Sequence, residues 1–168
     1  MSSLRDPLPD FSPKKQEGSQ MEQKHKEVVL KVLKKILAVS PGIRYTLIMD
    51  NSGITLASVS KFQTEVNLER FGAISGTIYH TIEEQGFLIG YGKIKSQITE
   101  YEQGFIFTQG LGDSYLVVAT DLMFNIGIVR GLMNKFSPIL RKIMAISFQS
   151  ISAIPEEVKT IYKEQNIF

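Results

Sequence analysis

The chain has 168 residues, a net charge of +2, 43% hydrophobic and 21% charged residues, and no cysteine. Those values suit one globular domain with appendages and exclude disulfides, thiolate nucleophiles and cysteine-based metal sites. The small charge gives no reason to expect nucleic acid or an anionic membrane as partner.

Residues 1–20 carry Pro7, Pro9 and Pro13 with few apolar side chains. They read as a disordered tail, because such a segment buries too little to offset the entropy of ordering. Leu8 and Phe11 could form a short docking motif within it. No signal-peptide core and no run of about 18 apolar residues is present, so a soluble, cytoplasmic protein without a membrane span is expected.

Ser19 and Glu22 have capping-box spacing ahead of a helix over 21–39. Val28, Val29, Val32, Leu33, Ile36 and Leu37 form its apolar stripe, with Lys31, Lys34 and Lys35 opposite. Ser40-Pro41-Gly42 ends it. Strands over 44–49 and 54–58 flank Asp50-Asn51-Ser52-Gly53, residue types that tolerate tight-turn backbone angles. That turn lacks the alternating carboxylates and later glutamate of a calcium loop.

A polar loop over 60–66 leads to Asn67, the expected cap of a helix ending near Gln85 with Gly86 just beyond. Leu68, Phe71, Ile74, Ile78 and Ile82 share one face; Gly72, Ala73, Ser75 and Gly76 lie beside or opposite. Two glycines inside a helix cost roughly 1 kcal/mol each. Such a helix allows another backbone to approach, either from the same chain or from a second copy.

Gly86 to Gly92 reads as a loop displaying Phe87, Leu88, Ile89 and Tyr91. These could fold over the core or meet a partner. Strands over 93–101, 105–109 and 114–120, joined by short turns, predict an antiparallel meander. The continuous apolar run at Tyr115 to Ala119 suits a central strand buried on both faces. Asn125 caps a last helix reaching Ile143, which Pro138 should kink or end. Residues 144–168 form an extension with a short helix over 155–165.

The order α-β-β-α-β-β-β-α predicts an α+β fold (an α/β sandwich): a five-stranded antiparallel sheet with helices on both faces.

Several of these pieces, in this order, resemble the roadblock/dynein light chain family. Pro41-Gly42-Ile43 and Asp50-Asn51-Ser52-Gly53 are similar to its opening hairpin, and Gly72 to Gly76 to its small-residue helix. Glu102-Gln103-Gly104, Leu111-Gly112-Asp113 and Asn125-Ile126-Gly127-Ile128-Val129-Arg130 follow at the matching places. The resemblance covers 26–143, so 21–143 is expected to be a roadblock domain. It implies one helix on one sheet face and two on the other. It also implies dimerisation, with itself or another roadblock protein, through the third strand and second helix.

The interface would then use Phe71, Gly72, Ser75, Gly76, Tyr79, Ile94, Ser96, Ile98 and Glu100. Family members include dynein light chains, Ragulator subunits and bacterial polarity proteins that accelerate GTP hydrolysis. The implied partner is a Ras-like small GTPase, met by Leu68, Arg70, Phe87, Leu88, Tyr91, Lys93 and Lys95. A structural adaptor of a motor or multi-subunit complex is the alternative.

No enzyme constellation, cofactor site or metal site is read from the residues. Gly90-Tyr91-Gly92-Lys93 lacks the spacing and the Ser/Thr of a phosphate loop. His25 and His80 have no carboxylate at metal-ligand spacing, and Gly72 to Gly76 is not a nucleophile elbow. Glu83 and Glu84 read as a solvated helix end.

Overall fold

The computed structural model describes residues 15–61 and 66–148. The elements are α1 (Lys15–Ala38), β1 (Ile43–Asp50), β2 (Thr55–Ser60), α2 (Leu68–Leu88), β3 (Ser96–Tyr101), β4 (Gly104–Gly110), β5 (Ser114–Asp121) and α3 (Ile126–Phe148). They form one antiparallel five-stranded sheet in the order β2-β1-β5-β4-β3. The expected α+β fold and element order are both present.

β5 is central, as its apolar run implies: Leu116 and Val118 face one side, Tyr115 and Val117 the other. The larger core lies under α1 and α3. There Val32, Leu33, Ile36, Ile48, Phe107, Leu140 and Ile143 are essentially inaccessible to water. The smaller core lies under α2 and holds Leu47, Met49, Tyr79, Tyr115 and Val117. Alternation along β1 explains the split, since successive strand residues point to opposite faces. Ile48 belongs to the first core, Leu47 and Met49 to the second.

The hairpin turn works as its residues suggest. Asp50 Oδ1 accepts from the amides of Ser52 (2.8 Å) and Ile54 (2.9 Å), and Gly53 takes φ +82°. Asn67 caps α2, its Oδ1 accepting from the Arg70 amide at 2.9 Å. Asn125 Oδ1 accepts from the Gly127 amide at 2.8 Å at the start of α3.

Several boundaries depart from the sequence expectation. α1 begins at Lys15, so Ser19 and Glu22 lie inside the helix and not at its start. α2 runs to Leu88; Gly86 is helical, and the first left-handed glycine is Gly90 at φ +76°. β3 starts at Ser96, leaving Lys93, Ile94 and Lys95 ahead of it. α3 continues through Pro138 to Phe148. Pro138 has no amide to donate to the Asn134 carbonyl, but both residues are on the exposed side of the helix, where the lost bond costs least. The loop over 60–66 is described only in part. Residues 1–14 of the expected tail and the short helix over 155–165 lie outside the described residues.

Candidate functional site

α2 is attached to the sheet by glycines on one side. Gly72 rests on Gly53 so closely that a Cβ on Gly72 would collide with the Gly53 carbonyl oxygen. A Cβ on Gly76 would stand 3.3 Å from Gly53 Cα. Both helix glycines are buried against the β1–β2 turn of their own chain. Of the two readings left open, backbone approach from the same chain is therefore the one realised. The turn fills the space that Gly72 and Gly76 leave on that side of α2.

A polar latch runs beside the glycines. His80 Nε2 lies 3.0 Å from the Asn51 carbonyl oxygen and 3.5 Å from Tyr115 Oη. Tyr79 Oη donates to the Ile94 carbonyl at 3.0 Å, and its ring lies 4.3 Å from that of Tyr115. Burial pushes the Tyr79 phenol well above its ordinary pKa, with Glu83 and Tyr115 adding to the rise and a Gly110 backbone hydrogen bond opposing it. Tyr115 is pushed up in the same direction by burial, Glu83 and Asp113. Tyr79, a neutral donor, stabilises the α2 attachment, and phenols held protonated do not make a nucleophile or base at neutral pH.

The structure divides the residues singled out in sequence into two groups. Tyr79 is buried, and Phe71 and Leu68 are half-buried against the α2-side core. These side chains serve the subunit itself, as Gly72 and Gly76 do. Ile74 and Ile78, assigned in sequence to the same face as Phe71, are instead 51% and 41% exposed. A helix 21 residues long laid on a sheet hides only one stripe, and the glycine–turn contact selects which.

Phe87, Leu88, Ile89 and Tyr91 do not fold over the core. They are exposed by 55%, 87%, 59% and 83%. Together with Ile74 and Ile78 they leave α2 and the residues after it with a largely uncovered apolar surface. Sequence reasoning included Phe87, Leu88 and Tyr91 but passed over Ile74 and Ile78. Their period-4 spacing was visible, yet nothing in it said which face the sheet would take.

Among the described residues β3 closes the far edge of the sheet and pairs only with β4. Ser96, Ile98 and Glu100 oppose Gln109, Phe107 and Phe105, which places them on the α1/α3 side. Gln97, Thr99 and Tyr101 point to the α2 side, with Tyr101 half exposed. Between β3 and α3 runs a groove bounded by Lys95, Arg130 and Arg141, with Ile98, Phe107 and Met133 as apolar lining. Arg141 Nη2 donates to the Gly110 carbonyl at 3.3 Å. Arg70 and Lys93 are exposed on the surface. Among the described residues no group of three or more His, Asp or Glu could hold a metal, and no helix is long and apolar enough to cross a membrane.

Comparison with known proteins agrees with this geometry. An uncharacterized protein of Methanocaldococcus jannaschii is 28% identical over 94 residues, covering 56% of this chain and 81% of its own. A solved structure described as MglB with tetrameric arrangement matches with a TM-score of 0.69 at 18% identity, covering 74% of this chain and 93% of that one. The gliding protein mglB of Thermus thermophilus matches with a TM-score of 0.65 at 20% identity, covering 71% and 90%. At those identities the structural matches speak to the fold. The Roadblock/LC7 domain model matches residues 29–120, more than half of the sequence, and the chain belongs to the Roadblock/LC7 family.

Proposed function

We propose that this protein is a dimeric roadblock-type binding module that binds and regulates a Ras-like small GTPase. The observation that carries the reading is the uncovered apolar strip of α2, Ile74 and Ile78, on a subunit whose β3 is an open sheet edge. Tyr79 Oη reaches the Ile94 carbonyl, so the middle of α2 lies against the segment that leads into β3.

A second copy related by a twofold axis can pair its β3 with this one and set α2 beside α2. An isologous contact of that kind satisfies an open edge and buries both apolar strips at once. The interface then consists of Ile74, Ile78 and Ser75 with Ser96, Ile98 and Glu100. The GTPase docks on the exposed cluster of Phe87, Leu88 and Tyr91, with Arg70, Lys93 and Lys95 as cationic contacts. The binding role also fits the chemistry, because Tyr79 under α2 is a neutral phenol bonded to the Ile94 carbonyl, and burial keeps Tyr115 beside it neutral as well.

The test is GTP hydrolysis by Ras-like GTPases of the same organism, with and without this protein, alongside binding to their GDP and GTP-analogue forms. Faster turnover with GTP-selective binding supports a regulator. Binding without acceleration supports a structural adaptor. Absence of binding to every candidate in either nucleotide state would overturn the GTPase reading.

A further inference from the structure

The small net charge hides an uneven distribution. α1 carries six lysines and three glutamates, and α3 carries two arginines and two lysines with no acid. These two helices, packed on one face of the sheet, together hold a charge of +7, while the whole chain holds +2. α2, on the other face, has Arg70 against Glu69, Glu83 and Glu84, a charge of −2. The fold thus sorts charge across the sheet, with a cationic α1/α3 layer opposite an anionic α2.

The cations of that layer point away from the core. Residues two apart on a helix stand about 200° apart around its axis. Lys34 is two residues from Val32 and Ile36, and Lys142 is two residues from Leu140 and Met144, all four of them buried. Lys34 and Lys142 are accordingly exposed, as are Arg130 and Lys135. Glu27 is the one acid among the described side chains of the two helices.

An apolar end adjoins this layer. The Asp121 amide donates to the Gly42 carbonyl at 2.9 Å, and Gly42 packs against the Phe124 ring. The connection leaving α1 and the one entering α3 therefore lie side by side. Val39, Leu122, Ile126 and Ile128 are exposed there, and Met123 in the β5–α3 turn is 95% exposed. Apolar side chains gathered at the surface in this way mark an interaction site.

The two features together select the partner. Cations alone answer to any polyanion, but a nucleic-acid backbone offers nothing to a protruding methionine. A bilayer with anionic headgroups offers charge to the cations and an acyl boundary to the apolar side chains, and peripheral binding adds the two contributions. We propose that the α1/α3 layer docks on an anionic lipid bilayer, with Lys34, Arg130, Lys135 and Lys142 at the headgroups and Met123 and Ile128 entering the acyl boundary. The proposal does not rest on the GTPase reading. Opposed residues of an antiparallel pair share a face, so a β3-paired dimer would present two such layers on one side and both α2 strips on the other.

The experiment is co-sedimentation of the full chain with vesicles of phosphatidylcholine alone and of phosphatidylcholine with phosphatidylserine, near physiological ionic strength. It compares the unaltered chain with R130Q/K142Q and with M123S, whose altered side chains are exposed and whose circular dichroism should match. The unaltered chain should sediment with the phosphatidylserine vesicles and not with phosphatidylcholine alone. R130Q/K142Q should weaken that partition at least about tenfold, since two surface cations are lost. M123S should weaken it at least about threefold through the lost apolar contact. Equal sedimentation with both vesicle types, or with neither, overturns the proposal, as does undiminished binding of R130Q/K142Q. Cation-dependent binding that M123S leaves unchanged also overturns it, because the layer would then answer to any polyanion, a nucleic acid or an acidic protein included. No GTPase or nucleotide enters the assay, so its outcome is separate from that of the hydrolysis test.

Discussion

Gly72 of α2 and Gly53 of the β1–β2 turn lie in direct backbone contact, with no room for a side chain on either. That contact fixes the seating of α2. The helix is drawn down at its glycine stripe, which turns Tyr79 into the sheet and leaves Ile74 and Ile78 outside.

Gly72→Ala should therefore be among the more damaging small substitutions in the chain. The added methyl meets backbone, which cannot rotate away, and overpacking of this kind costs about 1–3 kcal/mol. Gly76→Ala, with 3.3 Å to Gly53 Cα, should cost clearly less, since it also removes a helix-interior glycine. Urea titrations of both variants should separate them by midpoint.

Ile78→Lys should leave the subunit folded and weaken self-association. Ile78 is 41% exposed and the long lysine stem can lie along the surface, so the stability change should stay within about 0.5 kcal/mol. In the proposed dimer two lysines would meet across the axis. Sedimentation equilibrium should show a dimer for the unaltered protein and mostly monomer for the variant, with the same circular dichroism spectrum.

Tyr79→Phe keeps the ring contact with Tyr115 and deletes the donor to Ile94. The carbonyl it served lies at the strand-entry segment, and losing such a bond costs about 1 kcal/mol. Because burial raises the Tyr79 phenol pKa, the unfolded chain ionises first as pH climbs past about 10. Tyr79 thus contributes to a loss of stability above that pH, and the loss should be smaller in the variant. Unfolding midpoints at pH 9 and pH 11 would show it.

His25 sets the opposite limit. It is 9% exposed, its Nε2 has no hydrogen-bond partner among the described residues, and burial lowers its pKa below 6.5. The unfolded chain then takes up a proton at a pH where the folded chain does not. Stability is full above about 6.5 and falls as pH drops below it, by at most about 1.4 kcal/mol per pH unit for one site. His25→Leu should flatten that part of the curve between pH 5 and 7. An unaltered slope in the variant would count against His25 as the cause.

Much of this architecture is legible in local chemistry. Asp50-Asn51-Ser52-Gly53 had to turn, because Asp50 supplies the side-chain acceptor and Gly53 the positive φ. Asn67 and Asn125 mark helix starts because their side chains replace missing acceptors for the first amides. The run Tyr115 to Val118 announced a strand buried on both faces. These are short-range facts, and the family pattern is written in the same short-range pieces. Where local signals compete, as at Pro138 inside α3, the boundary shifted because packing of the adjoining turns outweighs a single lost hydrogen bond.

By itself, then, the sequence determined the elements, their order, the antiparallel sheet and the membership in the Roadblock/LC7 family. Tertiary structure alone decided what the surface offers. Ile74 and Phe71 are equally apolar, and only the seating of Gly72 on Gly53 exposes one and half-buries the other. Phe87 to Tyr91 stand in solvent because α2 runs past the sheet contact to Leu88, a length no local signal announced. Which face of an amphipathic helix is hidden depends on the contact made across the chain, and that contact lies beyond the reach of local periodicity.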